Sequence, residues 1–257
     1  MPAPRLVAFD LDDTLAPSKS PLDPRMVDTL ARLLRLVPVA VISGGNFHQF
    51  EHQLVHSLQQ RNDLDLTDLH LLPTCGTRYY RHNGTAWVLQ YAENLSEDQT
   101  QRALAAVERE AKAAGYWETD TWGPILEDRG SQVTFSALGQ HAPVDAKKRW
   151  DPTGAKKDHL RRRVQAELAD LEVRSGGSTS VDITRKGIDK AYGMKKLAAH
   201  SGIALDDMLF VGDRLDPEGN DYPVRALGVP TFAVNSWEHT EQYLREDLIP
   251  RLPDARI

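Results

Sequence analysis

Short apolar runs alternate with longer amphipathic stretches along the first third of the chain. The apolar runs are too short for helices, and their nearly continuous hydrophobicity is typical of strands buried on both faces. Asp23-Pro24 opens the first amphipathic stretch, in which apolar residues recur at helical spacing. We therefore predict strands at 5–9, 39–42 and 69–73 and helices at 23–37 and 47–60. Strands and helices alternating in this order predict a parallel sheet with right-handed crossovers.

The pattern of hydrophobic and polar residues changes in the middle of the chain. Asn83-Gly84 separates two strand-like runs and predicts a hairpin, and Ser96 with Gln99 has the sequence of a capping box. In this part we predict strands at 132–137, 171–174 and 179–184 and helices at 96–114 and 151–170. Together these elements describe an antiparallel α+β module that interrupts the parallel pattern.

The parallel pattern resumes at residue 186. In this last part we predict a helix at 190–200 that stops at Gly202, strands at 208–211 and 231–234, and a final helix at 237–248. The fold class is therefore α/β, with a doubly wound, Rossmann-like parallel-sheet core and an inserted α+β cap domain. We assign residues 1–81 and 186–257 to the core and residues 82–185 to the cap.

Composition narrows the class of protein. The 257 residues carry a net charge of -6, which argues against a general nucleic-acid binder. No stretch is long and apolar enough to cross a bilayer, so we expect no membrane association. Cys75 is the single cysteine, which excludes an intrachain disulfide and is compatible with a reducing cytoplasm. We expect a cytoplasmic monomer or homodimer whose partner is a small molecule.

Reactive side chains lie where the predicted parallel strands end. Asp10 and Asp12 follow the first strand, Ser43 follows the second, and Asp213 follows a late one. Lys190 begins the helix before that late strand. Ligands of open parallel sheets bind at the carboxyl ends of the strands. The pattern therefore brings carboxylates, a hydroxyl and an ammonium group to one edge of the sheet.

Crowded carboxylates repel one another and resist burial, and a divalent cation relieves both costs. Mg²⁺ prefers carboxylate oxygens and works together with phosphates. We predict a Mg²⁺ site built from Asp10, Asp213 and Asp221, to which Asp12 adds its backbone carbonyl. Taken singly, these residues have plainer interpretations, such as a turn at 10–14 or a helix cap at Asp221.

A carboxylate held in such a site can attack phosphorus and form an aspartyl-phosphate. Asp10 is our candidate nucleophile. Asp12, two residues away, is placed to protonate the leaving oxygen and later to activate the acceptor. Lys190 would neutralise the phosphoryl oxygens, and Ser43 would donate a hydrogen bond to one of them. Taken alone, Lys190 is more typical of a solvated helix residue, and its distance before Gly212-Asp213 is what favours a role in the site.

Four segments, in order along the chain, resemble the motifs of the haloacid dehalogenase (HAD) superfamily. They are DLDDT (10–14), VAVIS (39–43), GIDK (187–190) and FVGDRLDPEGND (210–221). The resemblance implies that Asp10 is the nucleophile and Asp12 the acid/base. It also implies that Ser43, Gly44 and Lys190 bind phosphate and that Asp213 binds the metal.

The inserted module resembles the large α+β cap of eukaryotic-type phosphomannomutases. The resemblance rests on EDRGSQVTFSALGQ (127–140), STSVDI (178–183) and the closing GDRLDPEGND (212–221). It implies a cap that determines substrate specificity by binding the distal phosphate of a sugar phosphate. Arg129, Ser180 and Asp182 match substrate-binding residues of that family, and Lys147 and Lys19 stand where two arginines are expected. Gln140 stands where a third arginine is expected and carries no charge.

These observations predict Mg²⁺-dependent phosphotransfer on a small phosphorylated metabolite, a sugar phosphate in our interpretation. We favour a phosphatase, because an uncharged Gln140 weakens the hold on a second phosphate that a mutase needs. A phosphomannomutase-like isomerase is the alternative. A sugar-phosphate binding protein without catalytic activity is a third hypothesis, although a binder has no need for both Asp10 and Asp12.

Overall fold

The computed structural model of the chain describes residues 3–176 and 179–253. Ser178, the first residue of the motif at 178–183, lies outside the described residues. The chain divides into two units. The first comprises the residues up to Ala92 together with those from Asp189 onwards, and the second comprises Glu93–Ile188.

Eleven strands and nine α-helices make up most of the regular structure of residues 3–176 and 179–253. The strands are β1 (Leu6–Phe9), β2 (Val39–Ile42), β3 (Leu69–Leu72), β4 (Arg78–His82), β5 (Trp87–Ala92), β6 (Leu126–Asp128), β7 (Gln132–Ser136), β8 (Leu171–Ser175), β9 (Ser180–Arg185), β10 (Met208–Gly212) and β11 (Thr231–Ala233). The helices are α1 (Pro24–Leu34), α2 (Phe47–Phe50), α3 (His56–Gln59), α4 (Glu97–Ala113), α5 (Val144–Trp150), α6 (Ala155–Glu167), α7 (Lys190–Ser201), α8 (Tyr222–Ala226) and α9 (Trp237–Tyr243).

The first unit is built on a seven-stranded sheet in the order β11-β10-β1-β2-β3-β4-β5. The five strands from β11 to β3 are parallel, and β4 and β5 continue the sheet antiparallel. In β1, Leu6 and Ala8 pack into the same cluster as α7, whereas Val7 and Phe9 pack with α1. Helices thus cover both faces, and the predicted doubly wound α/β fold is confirmed.

The hairpin of β4 and β5 extends the first unit beyond the predicted boundary. We expected residues 82–185 to form the inserted module, yet β5 pairs with β4 along its whole length. The sheet therefore carries the chain as far as Ala92 before the second unit begins at Glu93. The difference arises because Asn83-Gly84 specifies a turn between two strands and does not specify which sheet the strands join.

The second unit is a four-stranded antiparallel sheet in the order β6-β7-β9-β8. Its apolar face includes Val133, Phe135, Val181 and Ile183, which share a buried cluster with α4 and α6. Because side chains alternate across a strand, the residues between them form a polar face. The predicted capping box of Ser96 and Gln99 opens α4.

The predicted helix at 151–170 differs from the observed one. Asp151 has non-helical angles, and Gly154 is left-handed with φ of 75°, so α6 begins only at Ala155. A short helix, α5, precedes this break and ends at Trp150. The Asp151 carboxylate instead accepts hydrogen bonds from the backbone N–H groups of Lys156 and Lys157, which explains why an acid precedes this helix.

Candidate active site

The carboxyl ends of β1 and β10 and the start of α7 assemble a polar cluster in the first unit. Asp10 directly follows β1, and its backbone N–H donates to the carbonyl of Val211 in β10 at 3.0 Å. Asp213 directly follows β10, and the hydroxyl of Thr14 donates to its carboxylate at 3.3 Å. Lys190 is the first residue of α7. The structure therefore brings together the acids and the lysine that the sequence placed at strand and helix ends.

Lys190 bridges two buried carboxylates. Its Nζ atom lies 2.6 Å from Oδ1 of Asp10 and 2.5 Å from Oδ1 of Asp221. The Lys190 side chain is only 1% exposed and that of Asp221 is fully buried. Oδ2 of Asp221 accepts a hydrogen bond from the backbone N–H of Arg214, which ties the loop after β10 to the same centre. Lys190 is thus a buried, doubly paired cation and not a solvated helix residue.

Glycines allow the elements around Lys190 to approach closely. A Cβ atom on Gly193 would lie 2.9 Å from the carbonyl oxygen of Cys75, so α7 packs directly against the turn after β3. At the end of β10, a Cβ atom on Gly212 would lie 2.3 Å from Oδ2 of Asp221. Both distances are shorter than a side chain tolerates. These two glycines therefore make the position of Lys190 between its carboxylates possible.

Burial and charge set the protonation of the cluster. Burial raises the pKa of Asp10 well above its ordinary value, Lys190 opposes this, and Asp221 and Asp213 reinforce it. Burial also raises the pKa of Asp213, with repulsion from Asp221 adding to it. Burial lowers the pKa of Lys190, but attraction to Asp10 and Asp221 outweighs this and holds the pKa above its ordinary value. The cluster has a surplus of negative charge that one lysine does not neutralise.

The three carboxylates fit a divalent cation. One oxygen from each of Asp10, Asp213 and Asp221 lies within 4.8 Å of the others, and all three oxygens belong to the hard donor type that Mg²⁺ prefers. The surplus negative charge of the cluster is also what a dication would balance. The carboxylate of Asp12 is not in this group, so the predicted role of Asp12 toward the metal is left to its backbone carbonyl.

Asp12 points into a set of hydrogen-bond donors of its own. Its Oδ1 accepts from the backbone N–H of Lys19 at 2.7 Å and from Nε2 of Gln53 at 3.1 Å. Its Oδ2 accepts from Nε2 of Gln49 at 3.0 Å. Gln49 and Gln53 were not among the residues predicted from the sequence. Their four-residue spacing in the helical segment after Ser43 is the signal that points to them.

Ser43 and Gly44 follow β2 at the same edge of the sheet. Ser43 is buried, and its Oγ accepts a hydrogen bond from the backbone N–H of Gly45 at 3.2 Å. The Ser43 carbonyl accepts from the backbone N–H of Cys75 at 2.9 Å, which joins this loop to the turn after β3. Gly44 is half-buried beside Ser43. The phosphate-binding role of Ser43 and Gly44 stays a prediction.

Lys19 occupies a structural position as well as a candidate substrate-binding one. Its backbone is left-handed, with φ of 57°, and its N–H is one of the donors to Asp12. A left-handed lysine is strained, because its Cβ crowds the backbone. The left-handed conformation of Lys19 turns the loop back toward Asp12, so that the Lys19 N–H reaches its carboxylate. The predicted contact of its ammonium group with substrate stays a prediction.

Two of the predicted cap residues, Arg129 and Ser180, share one polar network on the second unit. The Arg129 guanidinium pairs with the carboxylate of Glu127 at 2.9 Å and lies 3.4 Å from Oε1 of Gln140. Gln140 donates to the hydroxyl of Ser136 at 3.1 Å, and that hydroxyl is 3.2 Å from the hydroxyl of Ser180. Arg129 and Ser180 are therefore linked through Gln140 and Ser136.

Asp182 lies next to this network on β9. Its Oδ1 accepts from the hydroxyl of Thr134 at 2.8 Å, and Thr134 in turn accepts from Nε2 of Gln132. In the sheet Asp182 is directly opposite Thr134, as Ser180 is opposite Ser136. Lys147 is buried in α5. The substrate-binding roles of these residues stay predictions.

Comparison with known proteins decides the family. The model of the family "Eukaryotic phosphomannomutase" matches residues 26–249. The chain belongs to this family. Human phosphomannomutase 1 is 24% identical over 95% of this chain and 92% of its own. The predicted resemblance is confirmed.

Solved structures share the fold at low sequence identity. N-terminally truncated IMP-nucleotidase of Plasmodium falciparum has a TM-score of 0.70 and 16% identity over 96% of this chain and 71% of its own. A haloacid dehalogenase-like hydrolase from Bacteroides thetaiotaomicron has a TM-score of 0.61 and 15% identity over 94% and 98%. Within residues 3–176 and 179–253, no helix has the length and apolarity needed to cross a membrane.

Proposed function

We propose that this phosphomannomutase-family protein transfers phosphoryl groups from a sugar phosphate through an aspartyl-phosphate on Asp10, and that its main outcome is hydrolysis. The observation that carries the proposal is the buried centre of Asp10, Lys190 and Asp221 beside Asp213. A desolvated carboxylate next to a buried ammonium group is suited to attack an anionic phosphate ester, because Lys190 offsets the charge of the incoming group.

Each residue has a defined part in the reaction. An oxygen of Asp10 forms a bond to phosphorus while the bond from phosphorus to the ester oxygen breaks. Asp12 gives its proton to that leaving oxygen and afterwards takes a proton from the water that attacks the aspartyl-phosphate. Lys190 and the hydroxyl of Ser43 balance and orient the phosphoryl oxygens. Inorganic phosphate leaves, and both aspartates regain their starting state.

Mg²⁺ is the metal we propose for this site, held by Asp10, Asp213 and Asp221 with the backbone carbonyl of Asp12. When bound it would supply positive charge that stabilises developing negative charge on the phosphoryl oxygens. The donor set and its surplus negative charge support this choice.

Hydrolysis is favoured over mutase activity by the charge of the second unit. A mutase must retain a doubly phosphorylated intermediate while it reorients, and must keep water from the phosphoenzyme. In this chain the charge of Arg129 is already balanced by Glu127, and Gln140 adds none. We propose that Arg129, Ser180, Asp182 and Lys147 recognise the substrate, too weakly for efficient reorientation.

Phosphomannomutase activity is the second candidate, and the family match favours it. The deciding experiment incubates the protein with Mg²⁺, mannose 1-phosphate and a sugar bisphosphate, and follows the products by phosphorus NMR. Inorganic phosphate as the main product supports the phosphatase, and mannose 6-phosphate in excess overturns it in favour of the mutase.

The variant Asp10→Asn separates both enzymes from a binding protein. It removes the nucleophile and keeps the size of the side chain, so turnover should disappear while sugar-phosphate binding persists. Normal turnover by this variant would refute the proposed nucleophile. The absence of turnover by the unaltered protein on a panel of phosphate esters would instead favour a non-catalytic binder.

A further inference from the structure

Two glutamine side chains hold the carboxylate of Asp12 from the helical segment that follows Ser43. Nε2 of Gln49 donates to Oδ2 and Nε2 of Gln53 donates to Oδ1. Gln53 is fully buried and Gln49 is half-buried. A buried amide that contacts the proposed acid/base directly is placed to control the orientation of that acid/base.

The network uses every N–H group of the two amides. Besides Asp12, Nε2 of Gln49 donates to Oε1 of Gln53 at 2.6 Å, and Nε2 of Gln53 donates to the carbonyl of Ser20 at 3.1 Å. A rotation of either amide by half a turn would place its oxygen against the Asp12 carboxylate. The hydrogen bonds therefore allow only one orientation of each glutamine, and the network is rigid.

The backbone of this segment is built to present both glutamines to Asp12. Asn46 caps α2 by accepting from the backbone N–H of Gln49 at 2.9 Å. The helix then continues through a π-helical turn, Glu51–Val55, before α3 begins. Such turns recur at functional sites. In this chain the π turn contains Gln53.

The hydrogen bonds also determine which oxygen of Asp12 can carry a proton. Oδ1 accepts two hydrogen bonds, from Lys19 and Gln53, which occupy both of its lone pairs. Oδ2 accepts one from Gln49, which leaves a lone pair available to a proton. The proton that Asp12 gives up in the reaction therefore belongs on Oδ2.

We propose that Gln49 and Gln53 are positioning residues that aim the protonated Oδ2 of Asp12 at the leaving oxygen. The inference rests on the proposed function, in which Asp12 transfers that proton as the bond from phosphorus to the ester oxygen breaks. Without the glutamines only the backbone N–H of Lys19 holds the carboxyl group, at Oδ1. Oδ2 can then turn away, and its proton is no longer in line with the leaving oxygen. In this proposal the glutamines act only through Asp12 and not on the substrate.

Comparing two leaving groups isolates this role. Mannose 6-phosphate releases an alkoxide that needs a proton, whereas p-nitrophenyl phosphate releases a stable phenolate that needs none. For Gln49→Met and Gln53→Met we expect kcat/KM to fall about tenfold or more for the sugar phosphate and to change little for the phenyl ester. The matched control is Gln59→Met, an exposed glutamine of α3, which should leave both values unchanged.

A double-mutant cycle with Asp12→Asn completes the test. In the Asp12→Asn background the proton donor is already lost, so adding Gln49→Met should change neither ester further. Gln49 is half-buried, so its variant keeps the test decisive even where Gln53→Met lowers the melting temperature. An equal fall for both esters, or a selective fall that persists in the Asp12→Asn background, overturns the inference.

Failure of the proposed function gives a different pattern. If the unaltered protein consumes neither ester, it is not a phosphatase, and if Asp10→Asn consumes both esters normally, the nucleophile is wrong. In either case the inference falls with the proposed function. If the unaltered protein consumes both esters and only the glutamine variants behave contrary to expectation, the inference alone is wrong.

Discussion

Replacing Lys190 with methionine tests the electrostatic account of the candidate active site. The substitution keeps most of the length of the side chain and removes the cation that lies 2.6 Å from Asp10 and 2.5 Å from Asp221. Asp10, Asp213 and Asp221 then share the site without the positive charge of Lys190. At an effective dielectric constant of 20, each ion pair contributes about 6 kcal/mol of Coulomb energy before desolvation is subtracted. Because removing ions from water costs nearly as much, the expected net loss on breaking the centre is about 3–5 kcal/mol.

The loss should depend on pH in a defined direction. Burial and the neighbouring acids raise the pKa of Asp10 and Asp213 in the folded protein above their values in the unfolded chain. In the folded state these carboxyls bind protons more tightly, so lowering the pH relieves their repulsion. Removing Lys190 raises their pKa further. The difference in unfolding free energy between Lys190→Met and the unaltered protein should therefore be largest at neutral pH and should shrink as the solution is acidified.

The assay is urea unfolding at pH 7.5 and pH 5.5, with and without Mg²⁺. We expect Mg²⁺ to restore part of the lost stability, since a dication replaces the missing charge. The matched control is Lys186→Met, whose side chain is exposed and which should change stability by less than about 0.5 kcal/mol. A loss below about 1 kcal/mol at pH 7.5, or a loss that grows on acidification, would refute this account of the centre.

Single residues elsewhere in the first unit carry three further predictions. Lys19→Gly keeps the backbone donor to Asp12 and removes the strain of a left-handed lysine. The free energy of unfolding should rise by up to about 1 kcal/mol. A higher KM would identify a phosphate contact of the Lys19 side chain, and an unchanged KM would exclude one. Gly193→Ala places a methyl group against the Cys75 carbonyl, so urea unfolding should show a loss of about 1–3 kcal/mol, and unchanged stability would contradict the close packing of α7. Burial lowers the pKa of His70 to about 3. Between about pH 6.5 and pH 3 the unfolded chain therefore binds a proton that the folded protein does not, so the free energy of unfolding should fall as the pH drops through this range. His70→Leu should flatten that slope in acid unfolding curves.

Much of the fold could be predicted from local patterns. The apolar runs that became β1, β2 and β3 are buried on both faces, and continuous hydrophobicity is the local consequence of that burial. Ser96 opens α4, and Gly202 ends α7 in a left-handed conformation, because capping depends on a few neighbouring residues. Asp10 and Asp213 could be placed at strand ends because the apolar run before each of them marks a strand.

Other features depend on contacts between distant segments. Nothing local indicates that β5 joins the core sheet, since pairing depends on which edge is available to the hairpin. The break between α5 and α6 was missed because an acid before a proline also suits the start of a helix. Gln49 and Gln53 looked like ordinary polar helix residues until the fold placed Asp12 against them.

The sequence by itself determined which residues can carry phosphoryl chemistry and at which ends of strands and helices they lie, because hydrophobic periodicity and capping are properties of neighbouring residues. Only the tertiary structure decided that Lys190 lies between Asp10 and Asp221 and that Asp12 faces two glutamines. Those distances result from close packing at Gly193 and Gly212, where residues far apart in the chain meet. These contacts set the charge of the site and the oxygen that carries the proton of Asp12, because both depend on burial and on the groups within a few ångströms.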